Sequence, residues 1–491
     1  MPTFPKSTLF AIATFAAILL VVHFIAPTRG LNPATLRPAA TFHTDRASIF
    51  PVVPIPLPGV PENLAVPNPT IPGFNPAAAA NLSMVSPYLV ENGTGLDHFY
   101  AALNDLANGK RNRPVRIVHY GDSPTTADLI TGDARELLQD RFGDAGSGFI
   151  LIAKPWAWYG HHGVDVSATG WEITTAVGSM REANYGLGGA SFLGWAGAQS
   201  TIHLAAHSAT SIEIQFLQQP YGGIVEVLAD GKSVGTVKTA GEKKNGSATV
   251  DLPVSTRTVT LRVTVGQVEL FGVAFGTRSR GITYDSIGLN GASTTVMSRA
   301  FSPTEWGNAL QHRDPDLVII NYGTNESSYP AYVDKFYEPE LRRAIARVRA
   351  ALPNTSILVM SPMDRGARDG GSITTMPAIP RLVDIQQRVA AELGCGFFNT
   401  YAAMGGNGTM ERWYDGHPRM VGADLIHPSP QGARIVAQSL TGQLLIGYER
   451  YEQHHPQTGN QSGNEHPAAT PPTIATSSNH PASTPKLITQ N

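Results

Sequence analysis

The sequence predicts an α/β protein in which a three-layer α/β/α domain with a mostly parallel sheet is interrupted by an inserted β-sandwich. Short apolar strands alternate with amphipathic helices in residues 91–159 and again in 281–450, a pattern typical of a parallel sheet covered by helices. Residues 160–280 lose helical spacing and show short alternating runs instead. Because polar islands suited to catalysis lie on both sides of this middle stretch, we expect it to be inserted within one domain.

The first α/β segment contains two predicted helices on either side of one strand. The first helix carries apolar residues at helical spacing and ends at Gly109. Residues 115–120 form a short apolar strand, which leads directly into Gly121-Asp122-Ser123. The second helix has an apolar face that begins at Leu129 and stops at Gly143.

The second α/β segment repeats this alternation three times. Strands are predicted at 317–320, 357–360 and 397–398, and helices at about 332–352 and 382–393. Ser429 and Pro430 have the residue types of an N-cap and a first helical residue, so a closing helix is predicted after them.

The middle segment alternates apolar and polar residues with a period of two. Such runs occur at 211–216, 224–228, 248–252 and 259–263, and the glycine at 231 marks a tight turn between two of them. This spacing predicts the β-sandwich over residues 160–280. Several aromatic residues lie in or near it, and each fills either the core or a sugar-binding surface: Trp156, Trp158, Tyr159, Trp171, Tyr185, Trp195 and Tyr221.

Both ends of the chain differ in composition from the middle. Lys6 precedes an apolar run over residues 9–26 that is long enough to span a bilayer, so residues 1–30 are predicted to be a signal anchor, with a cleaved signal peptide as the alternative. Residues 31–90 form a Pro/Ala-rich linker, and 451–491 a polar, disordered tail. We therefore expect an exported protein in the periplasm or cell envelope, tethered to the inner membrane.

Composition limits the classes of partner. The 491 residues carry a net charge of −2 and no clustered Lys/Arg run, so nothing indicates nucleic acid as a partner. The single cysteine, Cys395, excludes an intrachain disulfide. The pair His161-His162 lacks further ligands at useful spacing, and no Walker-type glycine loop or Gly-x-Ser-x-Gly elbow occurs, so we predict neither a metal nor a cofactor.

Three short islands carry the residue types needed for acyl transfer through a serine. Ser123 follows a strand and precedes a helix, where its hydroxyl can stand above the sheet edge. His427 follows Asp424 by three residues, so one turn can hold an imidazole and its orienting carboxylate. Asn325 follows Gly323 after a buried strand and can donate an amide N–H to an oxyanion. Taken singly, Ser123 better fits a helix cap, His427 better fits an idle histidine beside a capping aspartate, and Asn325 fits an ordinary turn asparagine.

These islands, in this order, resemble the four signature blocks of the SGNH (GDSL-type) hydrolases. The blocks are Gly121-Asp122-Ser123, the loop around Gly291, Gly323-Thr324-Asn325, and Asp424 with His427. Residues 121–128 and 141–146 further resemble the bacterial peptidoglycan O-acetylesterase branch, which carries a carbohydrate-binding-like β-sandwich between its first and second blocks. Two departures are Pro124, where that branch often has histidine, and Glu326, where many members have aspartate.

The resemblance implies roles for these residues. Ser123 would be the nucleophile, His427 the general base and Asp424 its partner, with an oxyanion hole made by the backbone N–H groups of Ser123 and Gly291 and the side chain of Asn325. It implies a serine esterase that removes O-acetyl groups from a cell-envelope polysaccharide, most specifically peptidoglycan, through an acetyl-enzyme. Two alternatives stay open: an O-acetyltransferase using the same triad, and a non-catalytic glycan-binding scaffold.

Overall fold

The computed structural model describes residues 83–84, 88–91, 93–179, 181–205, 209–277 and 279–455. The predicted signal anchor or signal peptide (1–30), most of the predicted linker (31–90) and the tail beyond 455 lie outside these residues. In the part of the chain that is described, no helix combines the length and the apolar character needed to cross a bilayer.

Eighteen strands form among the described residues. In chain order they are β1 (Ser83–Met84), β2 (Leu89–Glu91), β3 (Val115–Gly121), β4 (Gly148–Ile150), β5 (Val164–Thr175), β6 (Ala190–Leu204), β7 (Ser211–Gln218), β8 (Ile224–Ala229), β9 (Lys232–Lys238), β10 (Lys244–Asp251), β11 (Thr258–Val265), β12 (Gln267–Gly276), β13 (Ile282–Gly288), β14 (Leu317–Asn321), β15 (Ser356–Met360), β16 (Gly366–Asp369), β17 (Ser372–Thr375) and β18 (Gly396–Phe398). The four strands predicted in the two α/β segments fall within β3, β14, β15 and β18, and are confirmed.

Ten α-helices accompany these strands in the described ranges. They are α1 (Asp97–Ala107), α2 (Ser123–Thr126), α3 (Leu129–Phe142), α4 (Pro303–Arg313), α5 (Pro330–Tyr332), α6 (Glu338–Ala351), α7 (Ala378–Glu392), α8 (Thr400–Ala403), α9 (Thr409–Asp415) and α10 (Pro430–His454). The helix predicted over about 332–352 is divided, because a π-helical turn, Val333–Tyr337, separates α5 from α6. The Ser429 cap is confirmed, since its Oγ accepts the Gly432 N–H at 3.3 Å.

A seven-stranded mixed sheet forms the α/β part of the fold. Its order is β1-β2-β18-β15-β14-β3-β13, with five parallel strands from β18 to β13 and an antiparallel pair at the β1 edge. Side chains of β3 alternate between two cores: Ile117 packs into the core that contains α1, α3 and α10, and Val118 into the core that contains α4, α6 and α7. Helices therefore cover both faces of the sheet, as the predicted α/β class requires.

The middle segment forms one antiparallel sheet of nine strands. The order is β10-β7-β12-β6-β11-β8-β9, with β4 paired to β12 and β5 paired to β6. The two end strands, β9 and β10, contact each other, so the sheet is nearly closed. The predicted sandwich of two separate sheets is not confirmed. The physical reason is the long strand β6, which pairs with β12 at Phe192–Trp195 and with β11 at Gln199–His203 and so keeps the hydrogen bonding continuous.

The limits of the predicted segments stay predictions, although two elements cross them. β4 lies before residue 160, yet it is hydrogen-bonded to β12 of the nine-stranded sheet. Helix α10 runs to His454, so the first residues of the tail predicted from 451 are helical rather than disordered.

Most of the aromatic residues noted in the sequence are buried or packed on the core. Tyr159 and Tyr185 are 6% and 5% exposed, and Trp156 and Trp171 pack half-buried against the larger core. Trp195 and Tyr221 are 45% and 97% exposed on the nine-stranded sheet.

A buried carboxylate, Asp285, joins the two sheets and forms an ion pair with a neighbouring helix. Asp285 of β13 accepts the backbone N–H of Phe149 in β4 at 2.8 Å, and its carboxylate receives two hydrogen bonds of 2.6 Å from Arg313 at the end of α4. Asp285 is fully buried and Arg313 is 7% exposed. Removing one member of such a pair leaves an uncompensated charge in a medium of low polarity.

We therefore expect Arg313→Met to destabilise the protein by about 3–5 kcal/mol, measured as the shift of the denaturant midpoint. A matched control is Arg262→Met, which removes the exposed partner of Glu226 on β8 and is expected to cost less than about 1 kcal/mol. Equal effects of the two substitutions would contradict the structural role of the buried pair.

Candidate active site

The islands identified in the sequence meet at one edge of the seven-stranded sheet. Strand β3 lies between β13 and β14, both parallel to it, and Gly121 is in register with Gly288 on one side and Asn321 on the other. The carboxyl ends of parallel strands share one edge, which is where open α/β sheets place their functional loops. Ser123, the Gly291 loop and Asn325 therefore emerge side by side.

Ser123, His427 and Asp424 form a hydrogen-bonded relay. The Ser123 Oγ is 2.8 Å from Nε2 of His427, whose Nδ1 is 2.7 Å from Oδ2 of Asp424. Ser123 and His427 are 7% and 8% exposed, so the relay is largely shielded from water. In a neutral imidazole, a proton on Nδ1 that is directed at the carboxylate leaves Nε2 as the acceptor of the serine hydroxyl.

A tight turn fixes Asp424 and His427. The second carboxylate oxygen of Asp424, Oδ1, accepts the backbone N–H of Ile426 at 3.0 Å and that of His427 at 3.1 Å. Leu425 between them adopts a left-handed conformation (φ 60°), which is uncommon for a residue with a side chain. Burial favours the neutral acid, but the bonds from His427 and these amides outweigh it and lower the pKa of Asp424. Asp424 is therefore held as a carboxylate.

Ser123 is the first residue of α2, and Asp122 occupies the cap position. The alternative that Ser123 merely caps the helix is therefore not what the structure shows. The first N–H groups of a helix have no carbonyl partner within the helix, and the N–H of Ser123 is one of these groups.

The two further oxyanion candidates are tied to each other. The Asn325 side chain donates one Nδ2–H to the carbonyl of Ala292 at 2.8 Å, and Ala292 follows Gly291. An amide has two such protons, so the second stays available. Gly291 has a φ of 75°, a conformation that favours glycine. Within the described part of the chain, its N–H makes no backbone hydrogen bond.

Gly288, the other glycine of this loop, has a packing role instead. A Cβ there would lie 2.2 Å from the backbone nitrogen of Thr126 in α2. Glycine is thus needed for the close approach of the loop to the serine-bearing helix. The backbone N–H of Leu289 also donates to the Gly121 carbonyl at 3.0 Å, which holds the loop against the end of β3.

Two buried carboxyl groups lie beneath the site and were not anticipated from the sequence. Asp122 and Glu326 are 1% and 0% exposed, and in the described structure Asp122 Oδ2 and Glu326 Oε2 have no hydrogen-bond partner. Burial, and then repulsion by Glu326, raise the pKa of Asp122 to about 8. Burial likewise raises the pKa of Glu326. Each residue adjoins a predicted site residue in sequence, but no sequence pattern reveals that both are buried.

Glu326 also restrains the loop that follows Gly291. Its Oε1 accepts the backbone N–H of Thr294 at 2.8 Å and the hydroxyl of the same residue at 2.9 Å. Together with the hydrogen bond from Asn325 to Ala292, these two hydrogen bonds hold the segment that follows Gly291 at two of its residues. The glutamate that departs from the family pattern is therefore accommodated by specific contacts.

Arg365 provides the nearby positive charge. Its Nη1 donates to the Thr324 carbonyl at 2.7 Å and to Ser327 Oγ at 3.1 Å. The next residue, Gly366, donates its N–H to the Leu425 carbonyl at 2.9 Å. Burial lowers the pKa of Arg365, and Asp122 and Asp424 oppose that shift. Arg365 and Gly366 thus link the asparagine loop to the histidine loop through residues far apart in the sequence, a relation that spacing alone does not signal.

Histidines outside the relay do not gather with other ligands. His161 Nδ1 is 3.7 Å from Asp128 Oδ2, and Asp128 already pairs with Arg135 at 2.6 Å. Among the residues that the structure describes, no group of three or more His, Cys, Asp or Glu side chains is arranged to hold a metal ion.

The raised pKa of Asp122 predicts how stability depends on pH. The folded protein keeps this proton up to about pH 8, whereas the unfolded chain releases it near 3.8. Between these values the folded state binds more protons, so stability falls as pH rises, with a limiting slope of about 1.4 kcal/mol per pH unit. We expect Asp122→Asn to remove this loss, so that denaturant midpoints at pH 5.5, 6.5 and 7.5 decline less than in the wild type.

The exposed Asp140 of α3 offers the matched control, and Asp140→Asn should leave the slope unchanged. A wild-type slope identical to that of Asp122→Asn would show that Asp122 is already ionised in the folded state.

Comparison with known proteins agrees with this geometry. Residues 264–435 match the family described as the GDSL-like lipase/acylhydrolase family, a range that includes Gly291, Asn325, Asp424 and His427. A search of curated proteins found no match. Among solved structures, a peptidoglycan O-acetylesterase aligns with a TM-score of 0.64 and 23% identity, covering 74% of this chain and 99% of its own.

Two other solved structures align less well. An acetylxylan esterase from Geobacillus stearothermophilus has a TM-score of 0.26 at 22% identity, covering 34% of this chain and 73% of its own. A salicylyl-acyltransferase from a tetracycline biosynthetic pathway has a TM-score of 0.26 at 12% identity, covering 58% and 97%. Of the three alignments, the one with the peptidoglycan O-acetylesterase shows a shared fold. The resemblance read from the four sequence blocks is confirmed by the family match over residues 264–435, and this match supports a serine esterase.

Proposed function

We propose that this esterase removes O-acetyl groups from a cell-envelope polysaccharide, most specifically peptidoglycan. The main support for the proposal is the hydrogen-bonded relay from Ser123 through His427 to Asp424, with distances of 2.8 Å between Ser123 and His427 and 2.7 Å between His427 and Asp424. The substrate rests on the name of the solved structure that shares the fold along 74% of the chain, a peptidoglycan O-acetylesterase.

The proposed reaction has two halves. Ser123 Oγ attacks the acetyl carbonyl while its proton passes to His427 Nε2, and the carbonyl oxygen becomes an oxyanion. The N–H groups of Ser123, Gly291 and Asn325 are proposed to stabilise that oxyanion. Collapse breaks the ester C–O bond, and His427 returns the proton to the departing sugar oxygen. Water, deprotonated by His427, then attacks the carbonyl carbon of the acetyl-serine. The bond from that carbon to Ser123 Oγ breaks, His427 returns the proton to Ser123 Oγ, and acetate is released.

The compartment follows from the substrate. Peptidoglycan lies outside the cytoplasm, so the proposed enzyme acts after export, for which the apolar run over residues 9–26 provides a signal. The inner-membrane tether stays a prediction on residues that the structure does not describe. We further propose that residues 160–280 act as a carbohydrate-binding-like unit beside the site.

Acetate release by the purified full chain tests the proposal. Ser123→Ala is expected to lower kcat by about 10³-fold or more on a chromogenic acetyl ester and on O-acetylated peptidoglycan, because the nucleophile is lost. Ser279→Ala, at an exposed serine, serves as the control. Turnover of the chromogenic ester alone would place the substrate elsewhere. An acetylated sugar product in place of free acetate would indicate the transferase, and an inactive wild type would indicate the scaffold.

The oxyanion assignment of Asn325 makes a separate prediction. Asn325→Ala should lower kcat by about 10²–10³-fold with little change in KM, because the amide contacts the oxygen only after charge develops. The exposed Asn407→Ala is the control. A rise in KM at constant kcat would instead assign Asn325 to ground-state binding.

A further inference from the structure

Arg365 holds the peptide group that leads into Asn325. The Thr324 carbonyl accepts hydrogen bonds from Arg365 Nη1 and from the Ser327 hydroxyl, each at 2.7 Å, and the same arginine nitrogen donates to Ser327 Oγ at 3.1 Å. This carbonyl belongs to the peptide bond between Thr324 and Asn325. Because a peptide group is planar and includes the next Cα, a contact that fixes the carbonyl also restrains the Asn325 Cα.

The turn that carries Asn325 has two further restraints. Inside the turn, the Ser327 N–H donates to the Gly323 carbonyl at 3.0 Å. At the tip of the side chain, Asn325 Nδ2 donates to the Ala292 carbonyl at 2.8 Å. Without the arginine the turn therefore keeps its shape and its contact with Ala292, but it loses the bond that sets its position from outside.

Arg365 belongs to a separate segment that is itself anchored. Its backbone carbonyl accepts the Met376 N–H at 2.8 Å at the base of the β16–β17 hairpin, and the neighbouring Gly366 N–H donates to the Leu425 carbonyl at 2.9 Å. The arginine is 9% exposed. The guanidinium is therefore a fixed point against which the turn of Asn325 is placed.

Burial of this cation has no close compensation. Within the described residues, no carboxylate oxygen lies within 4 Å of Arg365, and Asp122 and Asp424 act on its charge from farther away. A buried charge without a close counter-ion costs stability. The contacts that it does make are with the asparagine turn, so a function of Arg365 is to be sought there.

We propose that Arg365 is a positioning residue that holds Asn325 where its amide meets the oxyanion. The inference rests on the serine mechanism of the proposed function and on the oxyanion role of Asn325, but it does not depend on the glycan. It adds a residue outside the four sequence blocks to the groups that the reaction requires.

Substitutions of Arg365 test the inference with a chromogenic acetyl ester. Arg365→Met should lower kcat roughly 10- to 100-fold with little change in KM, because a small misplacement of Asn325 weakens a contact made only as charge develops. Arg365→Lys should stay within about threefold of the wild type, since one nitrogen makes both contacts and a lysine nitrogen can replace it. Arg381→Met, at an exposed arginine paired with Asp334, is the control and should change kcat less than twofold.

A double-mutant cycle asks whether Arg365 acts through Asn325. In an Asn325→Ala background, Arg365→Met should lower kcat by less than about threefold, because the group that it positions is already absent. Losses that multiply would show independent action and overturn the inference. A rise in KM at constant kcat in Arg365→Met would also overturn it, because it would indicate ground-state binding.

The pH profile separates this role from an effect on the histidine loop. The acid limb of kcat/KM reports protonation of the general base, so it should keep its midpoint in Arg365→Met. A shifted midpoint, with a loss that persists in Asn325→Ala, would mean that the arginine acts on Asp424 and His427 instead. That result would overturn the inference.

Ser327→Ala is the second variant, for the case that Arg365→Met does not fold. It removes one of the two hydrogen bonds to the Thr324 carbonyl and an acceptor of Arg365, so kcat should fall about three- to tenfold and the loss should vanish in Asn325→Ala. A loss of equal size in that background would contradict the inference. Unfolding midpoints of all variants are measured in parallel.

Failure of the proposed function gives different results. A wild type that hydrolyses the chromogenic ester but no acetylated glycan would refute the proposed substrate and leave the role of Arg365 to be decided by the cycle. An unchanged kcat in Asn325→Ala would refute the proposed oxyanion role, and the inference with it. A wild type without esterase activity would refute both.

Discussion

The parallel register of β13, β3 and β14 is the constraint on which the site depends. It sets Gly121 beside Gly288 and Asn321, so the loops that follow the three strands start at the same height. The spacing tolerates no side chain at two of these positions, because a Cβ on Gly121 would lie 2.1 Å from Thr125 Oγ1 and one on Gly288 would lie 2.2 Å from the Thr126 nitrogen. The serine helix can therefore sit directly on the strand ends, within reach of a histidine that arrives from the far end of the chain.

Two carboxyl groups are buried in this compact arrangement. Asp122 and Glu326 are buried and adjoin Ser123 and Asn325 in the chain, and the field of the Arg365 cation reaches Asp122. Buried carboxyls without full pairing reduce stability, and proteins retain them chiefly where they hold something in place. Glu326 does so visibly, since it binds two groups of Thr294 and thereby fixes the loop that carries Gly291. The site and its supporting charges are therefore one structural unit rather than a set of independent residues.

Local sequence patterns predicted much of the fold. Contacts between residues that are distant in the sequence were not predicted. The strands at 115–120 and 317–320, the Ser429 cap and the approach of His427 to Ser123 followed from periodicity and short motifs. Three interactions depend on which strands become neighbours: the repulsion between Asp122 and Glu326, the hydrogen bonds of Arg365, and the Asp285–Arg313 ion pair. Sequence spacing does not encode which strands become neighbours. The sandwich prediction was not confirmed for a related reason. Alternation specifies strands, but whether hydrogen bonds continue from one strand group to the next depends on the length of β6.

The nine-stranded sheet is joined to the α/β part where the chemistry would occur. The chain enters it through residues 151–162, which contact α2 and the Asn290 loop, and leaves it into β13, whose end precedes Gly291. The backbone N–H of Phe149 in β4 also donates to Asp285 of β13, which is a direct bond between the two sheets. An insertion at this point of the topology therefore cannot move without moving the walls of the site.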